Sequence, residues 1–187
     1  YRRGNNWPST DNAANTALFG AGHSTAENYT TAIDKVAINT LGNGSDFGNL
    51  SVGRSSDPGA FASSTRGIWA GGNTGSFSDV IDYVTVATTG NATDFGNLTA
   101  ARRAGVSACS NTTRGLFGGG LSSGGNVNTI DYITIASTGN ATDFGDLTEA
   151  KRTTASCSNS TRGIWAGGFS SSRTNVIEYV TISTTGN

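Results

Sequence analysis

Apolar residues fall along this chain in short bursts separated by polar, turn-forming segments. TRGIWAGG (Thr65–Gly72) and VIDYVTVATTG (Val80–Gly90) are rich in Ile, Val, Tyr, Trp and Thr, the residues that suit a pleated, half-buried surface. Between the bursts lie Gly, Asn, Ser, Thr and Asp, which form turns. No 11-residue window carries the 3.6-residue period of an amphipathic helix. In VIDYVTVA apolar side chains fall on both faces, which predicts a strand covered on both sides. The pattern predicts an all-β chain.

The bursts repeat. DFG-x-L occurs at Asp46–Leu50, Asp94–Leu98 and Asp143–Leu147, spaced by 48 and 49 residues. A hydrophobic pair followed by small residues occurs four times: Leu18–Gly22, Ile68–Gly72, Leu116–Gly120 and Ile164–Gly168. An Ile–acid pair recurs at Ile33-Asp34, Ile81-Asp82, Ile130-Asp131 and Ile177-Glu178. Three markers sharing one period of about 48 residues define a repeat array. The 187 residues divide into units 1–50, 51–98, 99–147 and 148–187 of a single array. A few strands per unit predict a β-propeller, whose blades are four-stranded sheets around an axis. A β-solenoid is the alternative, but its coils are usually much shorter.

The order of these markers is similar to the kelch repeat. Gly71-Gly72, Gly119-Gly120 and Gly167-Gly168 match its double glycine, and Tyr83, Tyr132 and Tyr179 match its tyrosine. Phe47, Phe95 and Phe144 stand where kelch blades usually carry Trp, and Arg54, Arg102 and Arg152 fall near its arginine. The first unit departs from the pattern at Gly20-Ala21-Gly22 and Lys35. The resemblance implies a kelch-like propeller of about four blades, either a closed four-bladed ring or part of a larger ring. A third arrangement is an array completed by neighbouring subunits. Tyr1–Thr10 could pair with the last unit and close the ring. The wording TTGNATDFGDLT with NSTRGIWAGG looks like repeat arrays in virion and tail-fibre proteins of marine phages, cyanophages included.

Composition narrows the function. Lys and Arg number 12 against 13 Asp and Glu, a formal net charge of −1. That excludes nucleic-acid binding through a basic face. No apolar run approaches the ~20 residues that span a bilayer, so no membrane insertion by a helix is expected. The chain contains no Met and no signal-like leader, and it reads as a fragment or a processed product. Glycine, at 27 residues, is about twice its usual share, which the double glycines and DFG segments explain.

Several motifs tempt towards chemistry. DFG is a kinase signature, but here it occurs three times without a catalytic HRD loop, and it reads as a turn in which Asp accepts from the N–H two residues on. It also echoes the sialidase Asp-box, with Thr99 and Thr148 in place of the Trp. A calcium site drawn from Asn91, Asp94 and Asn97, or from Asn140, Asp143 and Asp146, is poor in carboxylates. His23 is the sole histidine, and a single imidazole supplies neither a zinc site nor the two histidines of the copper site in galactose oxidase, which shares the kelch-type fold. Neither a cofactor nor a metal is expected. Cys109 and Cys157 occupy the position of Phe61, so both read as buried free thiols. Trp69, Trp165, Phe19 and Phe117 read as packing between units, and Arg66, Arg114 and Arg162 as structural groups at a turn.

Residues that break the repeat are the better candidates for recognition. The segment after the glycines varies most, at 23–32, 73–80, 121–129 and 169–176, and these segments should share one face. His23, Glu27, Tyr29, Phe77, Leu121, Phe169 and Arg173 are the candidate binding residues. The expected function is a non-catalytic structural or adhesive module on a virion or other extracellular surface. Its partners would be other subunits, in a homo-oligomer or among virion neighbours, or a surface glycan. The alternatives are a sugar-active propeller enzyme of sialidase or lyase type, or an intracellular kelch-type scaffold.

Overall fold

The computed structural model describes residues 15–25 and 28–186. Every regular element in it is a β-strand. The first sheet joins β1 (Thr16–Gly20), β2 (Ala32–Ala37) and β3 (Ser45–Asn49) in that order. The second runs β4 (Gly59–Ala62), β5 (Arg66–Ala70), β6 (Ser78–Thr85), β7 (Thr93–Arg102). The third joins β8 (Ser107–Ser110), β9 (Arg114–Gly118), β12 (Thr129–Thr134) and β13 (Thr142–Asp146), with the hairpin β10 (Leu121–Ser122) and β11 (Gly125–Asn126) projecting between β9 and β12. The fourth joins β14 (Ala155–Ser158), β15 (Arg162–Ala166) and β16 (Ile177–Thr181). All pairs are antiparallel and each sheet is a meander of neighbours in sequence. The pairing register repeats from sheet to sheet: Phe19↔Asp34, Trp69↔Asp82, Phe117↔Asp131 and Trp165↔Glu178.

The DFG segments are bulged strands rather than turns. Ile81 pairs with Gly96 and Asp82 with Asp94, so Phe95 is the extra residue of a bulge. The same shift occurs at Ile33/Asp34 and at Ile130/Asp131. The expected local hydrogen bond is present, with the Gly96 N–H donating to Asp94 Oδ1 at 3.0 Å and the Gly145 N–H to Asp143 Oδ1 at 3.2 Å. It curls the strand without reversing it, and the bulge turns each phenylalanine inward. Phe47, Phe95 and Phe144 are all buried.

The sheets stack face to face, and each has a front and a rear. The rear of the first sheet (Leu18, Ile33, Phe47) packs on the front of the second (Trp69, Val84). The rear of the second (Phe61, Ile68, Ile81, Phe95, with Tyr83) packs on the front of the third (Phe117, Ile133, Ile135). The rear of the third (Cys109, Leu116, Ile130, Phe144, with Tyr132) packs on the front of the fourth (Trp165, Val180, Ile182). Trp69, Phe117 and Trp165 are therefore core residues, and Phe19 is half-buried. The two cysteines differ. Cys109 is buried, and burial drives its thiol pKa well above the ordinary range. Cys157 is exposed, contrary to the expectation from sequence, because it lies on the rear of the fourth sheet, on which no described sheet is stacked.

Polar groups stitch each sheet to the next. Arg54 is fully buried and its Nη2 lies 2.6 Å from Asp82 Oδ2; Arg102 and Asp131 repeat that distance. Lys151 and Glu178 form the third pair. Each basic residue follows the DFG strand of one sheet and reaches the acid of the next. Lys151, rather than Arg152, is thus the register partner of Arg54 and Arg102. The backbone carbonyls of these residues accept the N–H groups of Gly22, Gly72 and Gly120, which belong to the sheet behind. The acids also accept the backbone N–H groups of Ser51, Thr99 and Thr148. Burial lowers the pKa of both arginines, and their aspartates oppose that shift. Burial alone would raise the Glu178 pKa; the bonds from Lys151 and Thr148 outweigh it and hold the carboxyl below its ordinary value.

A second stitch runs along the opposite edge. The N–H groups of Gly90 and Gly139 donate to the carbonyls of Phe47 and Phe95 at 2.8 and 2.7 Å. Asn91 Oδ1 accepts from the Asn49 N–H, and Asn140 Oδ1 from the Asn97 N–H. Two of the asparagines considered for calcium therefore bind backbone. This seam requires glycine in DFG. A Cβ on Gly96 would lie 2.3 Å from the Gly139 carbonyl oxygen, and one on Gly48 would meet Gly90 at the same distance. Gly96 also has φ +143°, which L side chains rarely adopt. Gly96→Ala is expected to destabilise the protein by more than about 1 kcal/mol, read as a lower urea midpoint. Gly90→Ala, where a Cβ meets open space, should stay within about 0.5 kcal/mol of wild type.

Candidate functional site

The variable segments do come together in a row. The last three each begin just past a double glycine and are tied by an isolated β-bridge to the residue after a buried base. Asn73 bridges Ser55, Leu121 bridges Arg103 and Phe169 bridges Arg152. The buried Arg54, Arg102 and Lys151 fix the seam; of the residues that follow them, Ser55 is buried as well, whereas Arg103 and Arg152 are half-buried beside a variable loop. This alternation along an extended strand is why one basic residue is structural while its neighbour is free for contacts.

Two guanidinium–aromatic pairs dominate the row. The Arg103 guanidinium lies 4.6 Å from the centroid of the Phe77 ring, and Arg152 lies 4.8 Å from Phe169. Arg103 spans neighbouring loops, since its backbone bridges Leu121 while its side chain covers Phe77. Arg152 does the same: its Nη1 donates to Asn126 Oδ1 at 3.1 Å while its plane covers Phe169. The Asn126 amide in turn donates to the carbonyls of Phe169 and Ser170 at 3.1 and 2.8 Å. At the other end of the row, Tyr29 lies beside Gly53 and Gly75.

Of the candidate residues, Phe77, Leu121 and Phe169 are thus joined in one row by Arg103 and Arg152, with Tyr29 half-buried next to the 73–80 loop. Arg173 is exposed at the far end, in the turn that pairs back to Phe169. His23 is exposed and faces a separate cleft. Glu27 lies outside the described residues. Sequence reasoning missed Arg103, Asn126 and Arg152. The readable signal for the two arginines was a second basic residue after the repeat-invariant one.

The cleft has a volume of about 880 Å³ and draws its described lining from all four sheets and their connections. Phe19, His23 and Asp34 line it from the first sheet, Asp57 and Ala60 from the second, Ala108 from the third, and Thr154 and Ser156 from the fourth. The described lining holds one imidazole and two carboxylates, with neither Tyr nor Arg. No three His, Cys, Asp or Glu side chains come together as a metal site among the described residues.

No family model matches the chain, and a search of curated proteins finds no match to it either. The loop row can present flat aromatic faces and fixed guanidinium donors to a partner. Guanidinium stacking at exposed sites is worth about 0.5–1 kcal/mol. Phe77→Ala and Phe169→Ala are therefore expected to cost about 1 kcal/mol or less each in thermal unfolding, because both rings are only half-buried. A loss as large as that of a core aromatic, about 3 kcal/mol or more, would make these rings part of the scaffold instead.

Proposed function

We propose that this protein is a non-catalytic structural or adhesive module, a kelch-like propeller array whose variable-loop row binds a protein or glycan partner on a virion, fibre or other extracellular surface. The four sheets would be the blades, in a closed four-bladed ring or in part of a larger one. The observation that carries the reading is the pairing of Arg103 with Phe77 and of Arg152 with Phe169. The two rings break the repeat, while the arginines over them occupy equivalent positions, and all four side chains are held beside the stack of sheets. Rigid scaffolds with variable loops are the usual arrangement for recognition. Aromatic rings give contact area at low entropic cost, and guanidinium groups give directional donors to hydroxyl or carboxylate oxygens.

The polar residues shared by the second, third and fourth units support the same reading. Asp82, Asp131 and Glu178 accept from the preceding segment, and their basic partners are buried with them. Arg66 stacks 4.4 Å from the Tyr83 ring and donates to the Ile135 carbonyl; Arg114 stacks on Tyr132 and donates to Ile182 and Ser183. These groups hold sheets together, which leaves recognition to the loops.

The test is a panel of immobilised oligosaccharides and surface polysaccharides probed with the wild-type protein and with the Phe77→Ala, Phe169→Ala and Arg173→Ala variants. Retention of an uncleaved ligand by wild type, weakened tenfold or more in the loop variants, is expected. Release of cleaved sugar, or retention that the loop variants leave unchanged, contradicts the proposal.

A further inference from the structure

We propose that the two outermost faces of the stack are complementary docking surfaces, and that a second copy of this chain seats the front of its first sheet on the rear of the fourth sheet. The inference rests on the repeat seams and is independent of what the loops bind.

Within the chain, each rear face is covered by the next front face. Ile81 and Ile130, on the rear of the second and third sheets, are fully buried in this way. Their register equivalent on the fourth sheet, Ile177, is 74 % exposed, and Tyr179 beside it is 59 % exposed where Tyr83 and Tyr132 are half-buried. Ile164 and the exposed Cys157 complete this face. It has the composition of a seam and no described sheet over it.

The front of the first sheet carries the matching half. Val36 and Ile38 stand in register with Val180 and Ile182, and Phe19 with Trp165. Ile182 is fully buried against the third sheet, whereas Ile38 is 48 % exposed.

The polar stitches are unfilled on the same two faces. Arg66 and Arg114 each stack on the tyrosine of their own sheet and donate to a carbonyl at the end of the next sheet's third strand, Ile135 in one case and Ile182 and Ser183 in the other. Arg162 is stacked in the same way, 4.4 Å from the Tyr179 ring, and no described sheet follows it. The carbonyl in register with those of Ile135 and Ile182 is that of Ile38. On the same front face Asp34 is exposed and has no basic partner among the described residues, whereas Asp82 and Asp131 are buried with one. Hydrophobic area, the arginine donor and its carbonyl acceptor therefore coincide.

Among the described residues neither face covers the other: Ile38 on the front of the first sheet is 48 % exposed and Ile177 on the rear of the fourth 74 %. A second copy supplies the missing face with residues already shown to fit its equivalents. Such a contact is heterologous, with different surfaces from each copy, so it propagates until a ring closes or a filament forms.

The experiment uses Ile38→Arg and Ile177→Arg, both at exposed positions, so that folding is left intact; cooperative unfolding by circular dichroism verifies this. Mass and Cys157 alkylation are followed across a dilution series. Wild type is expected to form assemblies larger than one 19.0 kDa chain, with Cys157 at least tenfold slower to alkylate than in dilute protein. Each variant alone should be monomeric with a reactive Cys157. An equimolar mixture should give a one-to-one pair and nothing larger, because Ile38→Arg keeps an intact rear face and Ile177→Arg an intact front face. The proposal is overturned by a wild type that stays monomeric with a reactive Cys157. It is equally overturned by a monomer whose Cys157 is protected, which would mean closure within one chain, by variants that assemble alone, or by a mixture that does not pair. None of these results changes the glycan-retention outcome, which reads the loops.

Discussion

A buried basic residue at each junction between sheets is the constraint on which the rest depends. Arg102 shows it most fully. Its carbonyl accepts the N–H of Gly72 from the second sheet, while its guanidinium donates to the carbonyls of Thr129 and Phe117 and to Asp131 in the third. One residue thus joins two sheets, through its backbone carbonyl on one side and its guanidinium on the other. Removing one member of such a pair leaves an uncompensated charge in a low-dielectric site, which is why the pair is specific even if its net contribution to stability is modest. The glycines follow from it, since the chain must pass close enough for these backbone bonds.

The junction also separates architecture from recognition. Arg54, Arg102 and Lys151 turn inward; Arg103 and Arg152, the residues after two of them, are half-buried next to the variable loops. A loop can therefore change sequence and length without disturbing the ion pair one residue away. The loops in fact differ widely, from the short β10–β11 hairpin with its paired glycines to the Phe169–Arg173 turn. The scaffold fixes where their side chains emerge, and their chemistry is free to vary.

Much of this was legible in the sequence. The period of about 48 residues, the strand character of RGIWA and IDYVT, and the inward phenylalanines were readable from β-propensity and spacing. The bulge at DFG was not, because Asp and Gly signal a turn and a bulge equally well. Only the register shift between Ile81 and Asp82 distinguishes the two. Lys151 was passed over for Arg152 since residue type favoured arginine, although Lys151 keeps the same spacing from its DFG segment as Arg54 and Arg102. The difference between Cys109 and Cys157 was invisible for another reason. Equivalent positions in a repeat differ in burial when one lies under the next sheet and the other lies at the end of the stack. The loop row was found by its departure from the repeat, but its organising arginines were not, because long-range stacking leaves no local trace in sequence.

The most direct measurement is a double-mutant cycle on the Arg102–Asp131 junction, using Arg102→Met, Asp131→Asn and the combined variant in urea unfolding. Each single change is expected to cost about 3 kcal/mol or more. The double variant should cost less than their sum by about 1–3 kcal/mol, the coupling between groups that share one buried contact. Costs that add to within about 0.5 kcal/mol, as for distant and independent sites, would contradict the account.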